Sequence, residues 1–233
     1  MIFDSPLIHG KLIKRYKRFL ADIQLDGGTI VVAHCTNSGS MKSCIEANAE
    51  VYLSRAENPN RKTMFTWEMI KIDNKWVGIN TSIPNKIAAQ AILNKEIQGL
   101  DMYDKINPEV RFGDSRLDIL AENSTEKCAI EVKNVTMKEG IYAKFPDAKT
   151  LRGLKHLKTL IQLKQSGMRA VMLYIIQRTD IEIFAPAIEI DSKYANTLIE
   201  AEEKGVEIFP IQVKVTPEKI EVLRKIEYIL EYQ

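Results

Sequence analysis

The sequence contains little cysteine. Three cysteines stand at positions 35, 44 and 128 of 233 residues, and no two of them form a Cys-x-x-Cys pair. An odd number of widely spaced cysteines argues against a disulfide framework and against a zinc knuckle. The three histidines are also far apart in the sequence, which argues against a histidine-based zinc site.

Long apolar runs are also missing. No run approaches the ~20 residues that a helix needs to cross a bilayer. The stretch from Met1 to Pro6 lacks the basic region and apolar core of a secretory signal. These two absences predict a cytoplasmic protein with no membrane partner. The length allows one large domain or two small ones, and a charged content of 27% is ordinary for a globular chain.

Several catalytic motifs are absent. The chain has no glycine-rich phosphate loop of the Walker type and no Gly-x-Ser-x-Gly elbow. Readings as a kinase, a dinucleotide-dependent oxidoreductase or a serine hydrolase therefore have no support.

Net charge is low, at +2, and does not by itself indicate a nucleic-acid-binding protein. The distribution of charge is more informative than its sum. One basic cluster lies within residues 11–18, with aromatic side chains interleaved, and a second lies within residues 144–158. Cations that follow a phosphate backbone and aromatics that stack on bases are typical of strands that bind nucleic acid, although either cluster can be a solvated surface.

The distribution of short apolar stretches and turn signals predicts two domains. Residues 1–82 resemble five short strands separated by turn signals such as Asp26-Gly27-Gly28 and Asp73-Asn74, which favours a small β-barrel of the OB type. Residues 83–233 alternate helices and strands, which predicts a mixed α/β domain. The expected helix caps in this second domain are Asn85, Asp147 and Ser192.

The main candidate site combines Asp118 with Glu131 and Lys133. Asp118 lies in a strand pattern, and the Glu-x-Lys pair follows one hairpin later. Side chains two positions apart share a face of a strand, so two carboxylates and an ammonium can converge. Hard oxygen ligands suit Mg²⁺ or Mn²⁺, and a metal there can polarise a phosphoryl oxygen. A buried salt bridge in a hairpin explains the same residues, and the pattern alone leaves both readings open.

The motif set resembles that of the sugar fermentation stimulation protein family. The similarity covers nearly the whole chain and keeps the motif order. The segments that carry it are Leu12 to Asp22, His34 to Met41, Glu131 to Thr136, Phe145 to Ala148, and Arg152 to Leu157.

The resemblance implies an N-terminal OB-like barrel followed by a restriction-endonuclease-like core of the PD-(D/E)xK type. The pattern of that core assigns Asp118, Glu131 and Lys133 as catalytic residues. Asp118 and Glu131 are the expected metal ligands, with the backbone carbonyl of Val132 as a third, and Lys133 assists the attacking water. The expected partner is nucleic acid, with DNA favoured over RNA and a link to the regulation of sugar metabolism.

Nine residues are predicted to contact nucleic acid because they are basic and lie in the motif segments, in the loop at residues 60–62, or beside Asp118. They are Arg15, Lys17, Arg18, Arg61, Lys62, Arg116, Arg152, Lys155 and His156.

Two functions remain open from the sequence: a metal-dependent nuclease, and a non-catalytic DNA-binding regulator that keeps the nuclease scaffold. Gln90 stands where many family members carry a glutamate, which favours the second. Many nucleases of this core act as dimers, so a homodimer is a candidate assembly.

Overall fold

A computed structural model describes residues 1–58 and 60–230 of the chain. Pro59, and the last three residues of the predicted second domain, lie outside the described residues. The chain begins with six strands: β1 (Ile8–Tyr16), β2 (Leu20–Leu25), β3 (Ile30–His34), β4 (Glu50–Arg55), β5 (Phe65–Ile72) and β6 (Lys75–Gly78).

The first five strands close into a barrel. β1 pairs with β2 and β4, β2 pairs with β3, and β5 joins β3 to β4. The circuit β1-β2-β3-β5-β4-β1 is the strand order of an OB barrel, and its interior holds one continuous apolar cluster. The predicted N-terminal fold is therefore confirmed.

Turn chemistry explains where the strands of the barrel end. Gly28, between β2 and β3, has a φ of +82°, which favours glycine. Asp73 and Asn74, with φ of 48° and 60°, form the two-residue turn into β6. The chain turns at Lys17 and Arg18, which adopt φ of 49° and 67° although neither is glycine.

The rest of the described chain is mixed α/β. Its helices are α1 (Pro84–Leu93), α2 (Leu151–Gln165) and α3 (Ser192–Glu203). Its strands are β7 (Lys105–Phe112), β8 (Ser115–Glu122), β9 (Lys127–Val135), β10 (Met137–Glu139), β11 (Tyr142–Phe145), β12 (Arg169–Ile176), β13 (Ile183–Pro186), β14 (Glu207–Val215), β15 (Ile220–Lys225) and β16 (Glu227–Tyr228).

A six-stranded sheet is the centre of this region, in the order β15-β14-β12-β9-β8-β7. β12 runs parallel to β9 and β14, whereas β8 runs antiparallel to β9. One apolar cluster packs α1 on one face of the sheet, and another packs α2 and α3 on the other. β10, β11, β13 and β16 form a smaller sheet. This mixed-sheet architecture confirms the predicted restriction-endonuclease-like core.

The three helices begin at different residues from those predicted. α1 begins at Pro84, whose fixed φ and missing N–H suit the first helical position, so Asn85 is not a cap. Thr150, not Asp147, caps α2, because its side chain accepts from the N–H of Gly153. Asp191, not Ser192, caps α3 in the same way, through the N–H of Tyr194.

A buried arginine joins the barrel to the mixed sheet. Arg178 is 1% exposed, and its guanidinium donates to Asp180, to the carbonyl of Thr136 and to Ser43 of the barrel loop. Lys138 donates to the same aspartate. Within the described residues, none of the helices is both long enough and apolar enough to cross a membrane.

Candidate active site

The site lies where β8 and β9 separate. Their antiparallel ladder runs from the Glu122–Lys127 pair to the Ile119–Ile130 pair and ends there. One residue further along β8, the Oδ2 of Asp118 accepts the N–H of Val132 at 2.9 Å. A side-chain oxygen thus takes the place of a strand carbonyl, and the two strands diverge around it.

The backbone of Val132 faces the gap between these strands. In a β-strand the N–H and C=O of one residue point to the same side. The N–H of Val132 points at Asp118, so its carbonyl oxygen is directed into the same gap. The carbonyl predicted to be a ligand therefore lies on the Asp118 side of β9.

Helix α1 supplies the second contact to Asp118. The side chain of Asn85 donates to Oδ1 of the carboxylate at 2.8 Å. The sequence predicted Asn85 only as a helix cap, and this contact was not predicted. The position of Asn85 directly after Pro84 was the available signal, because a helix that begins at the proline leaves the amide free for a tertiary contact.

Glu131 is the buried centre of the site, at 1% exposure. Its Oε1 is contacted by Nζ of Lys133 from the same strand and by Nδ1 of His156 from α2. An ionised carboxylate only accepts hydrogen bonds, so Nδ1 of His156 carries the hydrogen. Oε2 of Glu131 is buried and finds no hydrogen-bond partner among the described residues.

The two carboxylates differ in their electrostatics. Burial raises the pKa of Asp118, and the neighbouring charge of Glu131 adds to the increase, against the Val132 N–H, Lys133 and Asn85. Burial also acts to raise the pKa of Glu131, but the hydrogen bonds from His156 and Lys133 outweigh it and the net shift is downward. Glu131 is thus held ionised, whereas Asp118 carries a repulsion that a cation would relieve.

The donor set fits a hard divalent cation. A buried carboxylate oxygen without a partner is costly, and a metal ion would satisfy it. Together, Asp118, Glu131 and the Val132 carbonyl offer the oxygen ligands that Mg²⁺ and Mn²⁺ prefer. No group of three or more His, Cys, Asp and Glu side chains within residues 1–58 and 60–230 could hold a metal. Water or substrate oxygens would have to complete the coordination shell.

A cleft of about 420 Å³ approaches the site from the Lys133 end. Val132 and Lys133 lie in its lining, as do residues 36–39 of the barrel loop and residues 144–150 before α2. Asp118 and Glu131 do not line this cleft, so it meets the carboxylates through the backbone of β9. The cleft joins the candidate site to the barrel.

Two family models match the sequence. Residues 13–79 match the SfsA N-terminal OB domain, and residues 82–219 match the sugar fermentation stimulation protein RE domain. The chain belongs to the SfsA family. Sugar fermentation stimulation protein homologs from Geotalea uraniireducens and Geobacter metallireducens are each 47% identical to it. They align over 227 and 232 residues, covering 97% and 99% of this chain and 98% and 100% of theirs.

A solved SfsA structure has the same fold. The SfsA of Pyrococcus furiosus, determined in complex with Ca²⁺, superposes with a TM-score of 0.90 at 28% identity, covering 98% of each chain. The barrel and the mixed sheet thus form the arrangement of an SfsA protein along nearly the full length of this chain.

His156 is buried, unlike the other residues of α2 that are predicted to contact nucleic acid. It is 4% exposed and bonds to Glu131, so it supports the carboxylate from inside the protein. From the sequence, His156 was predicted to act with the exposed basic residues of α2, because helical periodicity does not show which face of α2 packs against β9. Contact between His156 and nucleic acid stays a prediction, and its burial argues against it.

Gln90 and Asn85 lie on different sides of α1, because five residues of helix turn a side chain by about 140° around the axis. Gln90 lines a different cavity, together with Lys86 and the N-terminal segment, whereas Asn85 is the α1 residue that contacts Asp118. The argument from Gln90 for a non-catalytic regulator therefore lacks structural support. That argument compared Gln90 with the glutamate of other family members, without knowledge of which face of α1 packs against the sheet.

The remaining predicted nucleic-acid contacts fall into two groups. Some bind protein groups: Arg15 and Arg18 donate to loop carbonyls, Arg61 contacts Thr66 and His34, Arg116 pairs with Glu109, and Lys155 donates to the carbonyl of Asp114. The others are exposed and form no hydrogen bond or ion pair with the described residues: Lys17 in the β1–β2 turn, Lys62 before β5, and Arg152 in the first turn of α2. This second group is better placed to meet a ligand.

Asp118→Asn is expected to stabilise the metal-free protein at pH 7 by about 1 kcal/mol, the usual size of a single-residue effect. Because folding raises the pKa of Asp118, its charge opposes folding at neutral pH, and that penalty is lost as the pH falls through the raised pKa. The amide of Asn85 can rotate to accept from the new amide. Urea unfolding in EDTA at pH 7 and at pH 4 measures the effect.

The stability difference between variant and wild type should shrink toward pH 4. Asp114→Asn, in the exposed turn between β7 and β8, is the matched control and should leave stability unchanged. An Asp118→Asn protein that is less stable than wild type at pH 7 would contradict the electrostatic account of the site.

Proposed function

We propose that this SfsA protein hydrolyses phosphodiester bonds in nucleic acid with the help of a divalent cation. The observation that carries the proposal is the buried, unpartnered Oε2 of Glu131. The charge of this carboxylate acts on Asp118, and Lys133 lies two residues further along the same strand. Lys133 and His156 both contact Oε1, so Oε2 has no donor among the described residues. In a purely structural salt bridge we expect the donors to satisfy both oxygens of the buried carboxylate.

Asp118, Glu131 and the Val132 carbonyl would hold the ion, Mg²⁺ or Mn²⁺ in the cell. The bound ion supplies Lewis-acid polarisation of a phosphoryl oxygen and a lowered pKa for its water ligand. The Ca²⁺ complex of the Pyrococcus furiosus protein supports a divalent-cation site in this chain as well, because Ca²⁺ also takes oxygen ligands.

The protein's own side chains have separate roles. Asn85 and the Val132 N–H fix both oxygens of Asp118. His156 fixes Glu131 from α2 and leaves Oε2 free. Lys133, which lines the cleft, can orient the attacking water and stabilise the negative charge that develops on the phosphate. Preorganised donors of this kind lower the barrier because they need not reorient during the reaction.

DNA is the proposed substrate in preference to RNA, and the barrel is proposed to grip it. The relatives' name supports a link between this activity and the regulation of sugar metabolism. A homodimer is proposed by analogy with other nucleases of this core.

Labelled DNA and RNA, incubated with Mg²⁺, Mn²⁺, Ca²⁺ or EDTA, test the proposal. We expect cleavage with Mg²⁺ or Mn²⁺ and none in EDTA. Binding without cleavage for every substrate and metal would instead support the non-catalytic regulator.

Arg152→Ala is expected to reduce the dependence of binding on salt. If Arg152 neutralises one phosphate, its loss lowers the log–log slope of affinity against salt by about one unit. Lys193→Ala is a matched control, because Lys193 occupies the same second position in α3 and is also exposed. Titrations of a labelled oligonucleotide between 50 and 200 mM salt, the range over which such slopes are informative, decide the point. Equal slopes for all three proteins would exclude a phosphate contact at Arg152.

A further inference from the structure

We propose that the substrate reaches the site as an unpaired single strand, threaded through the cleft between the barrel loop 36–39 and residues 144–150. The inference rests on the proposed function and adds the substrate class. Single-stranded DNA and single-stranded RNA are both unpaired polyanions, and the inference covers either one. Four features of the cleft carry it: a fixed barrel wall, rims that meet, a recessed floor and a basic lining.

Two arginines hold the barrel wall. Arg15 donates to the carbonyls of Arg18, Asn37 and Gly39, and Arg18 donates through two nitrogens to the carbonyl of Ser38. The turn that carries Arg18 has two non-glycine residues at positive φ, a conformation that costs free energy and persists only when its surroundings impose it. The wall is therefore a fixed surface.

The opposite rim touches this wall. A Cβ added at Gly39 would lie 2.0 Å from Oδ2 of Asp147, and the N–H of Met41 lies 3.5 Å from the same oxygen. The barrel and the mixed sheet thus meet across the cleft at Gly39 and Asp147, and this contact bounds its width. An object as broad as a paired duplex would have to break it.

The floor of the cleft is recessed. Val132 is 5% exposed and the Lys133 side chain 13% exposed, so a phosphate must descend between the two walls to reach them. In a duplex the second strand remains paired to the first and would collide with one wall. A strand without a partner can enter a cleft of about 420 Å³ a few nucleotides at a time.

The lining carries the charge that such a strand requires. Of the lining residues in the described part of the chain, four are basic and one is acidic. Lys144 is offset by Glu139 and Glu189, and Lys133 by Glu131, which leaves Arg18 and Lys149 as the net positive contribution against Asp147. A narrow, positively charged groove concentrates its field on a polyanion.

Binding in EDTA tests the inference separately from hydrolysis. Fluorescence anisotropy would compare a labelled single strand of DNA, the same strand as a blunt duplex, and a single strand of RNA. We expect the single strand of DNA to bind at least tenfold tighter than the duplex, and the RNA arm shows whether the 2′-hydroxyl is tolerated. A duplex that binds as tightly as the single strand would overturn the inference. Preference for the single strand without cleavage in Mg²⁺ or Mn²⁺ would overturn the proposed hydrolysis and leave the inference standing.

Gly39→Ala tests the cleft itself. The new methyl group would collide with the Asp147 carboxylate and force that side chain to shift. The contact between the two rims would then be disturbed, so single-strand affinity should fall at least fivefold. Gly27→Ala is the control, because a Cβ there meets nothing within 4 Å among the described residues, and it should bind like wild type. If circular dichroism shows that Gly39→Ala is unfolded, Lys149→Ala decides, with Lys158→Ala outside the cleft as its control. Unchanged affinity in a folded Gly39→Ala or in Lys149→Ala would contradict the proposed path.

Discussion

Lys133→Ala is expected to lower the rate of metal-dependent cleavage by about 10²–10³-fold, the usual effect of removing one donor that stabilises transition-state charge. Lys133 is the charged side chain shared by the carboxylate cluster and the cleft, so its loss affects the chemistry directly. Binding should weaken only a few-fold, because other cations remain in the cleft. Single-turnover cleavage with saturating enzyme separates the chemical step from binding.

Lys127→Ala is the matched control for this variant. Lys127 lies on the same strand and the same face, six residues from Lys133, at the far end of β9, where it pairs with Glu122. Its replacement should leave cleavage unchanged. Equal losses in the two variants would mean that Lys133 acts through general charge rather than at the reacting phosphate.

Glu131→Ala is expected to cost about 3–5 kcal/mol of folding free energy as well as all detectable cleavage. Removing one partner of a buried ion pair leaves the other partner uncompensated in the interior, and here both Lys133 and His156 lose their acceptor. Urea unfolding measures the stability, and Glu131→Gln, which keeps an acceptor for one of the two donors, should lose less stability.

The wild-type protein should also lose this stabilisation in acid. Folding lowers the pKa of Glu131, so its contribution is complete above the usual value of 4.5 and disappears as the pH falls through the lowered pKa. Glu131→Ala should lack that component of the acid transition. If Glu131→Ala is as stable as wild type at pH 7, the buried cluster is not an ion pair of the proposed kind.

The central residues could be predicted because their arrangement is local. Asp118, Glu131 and Lys133 lie on two consecutive strands, so strand alternation and one hairpin determine their convergence. The turn at Asp73 and Asn74 was also local, because both residue types tolerate positive φ.

The supporting residues could not be predicted, because their contacts are tertiary. His156 reaches Glu131 only through the packing of α2 on the sheet, and Asn85 reaches Asp118 only because α1 begins one residue before it. The hydrogen bonds from Arg15 and Arg18 to the barrel loop could not be predicted either, because sequence cannot show which carbonyls lie within reach of a guanidinium.

Several strands gave no usable pattern. β10, β11, β13 and β16 have two to four residues each, too few for an alternation to be recognised. β7 contains Pro108, which lacks a backbone donor, and Glu109 at a φ of 54°, so its sequence does not resemble an ordinary strand.

Calorimetric titration of Mn²⁺ into the metal-free protein tests the central claim most directly, because it depends on neither substrate nor turnover. The account predicts one saturable site per chain in the wild type, lost in Asp118→Asn and in folded Glu131→Gln, and retained in Asp114→Asn. An absence of heat in the wild type, or the same site in all four proteins, would contradict a cation shared by Asp118 and Glu131.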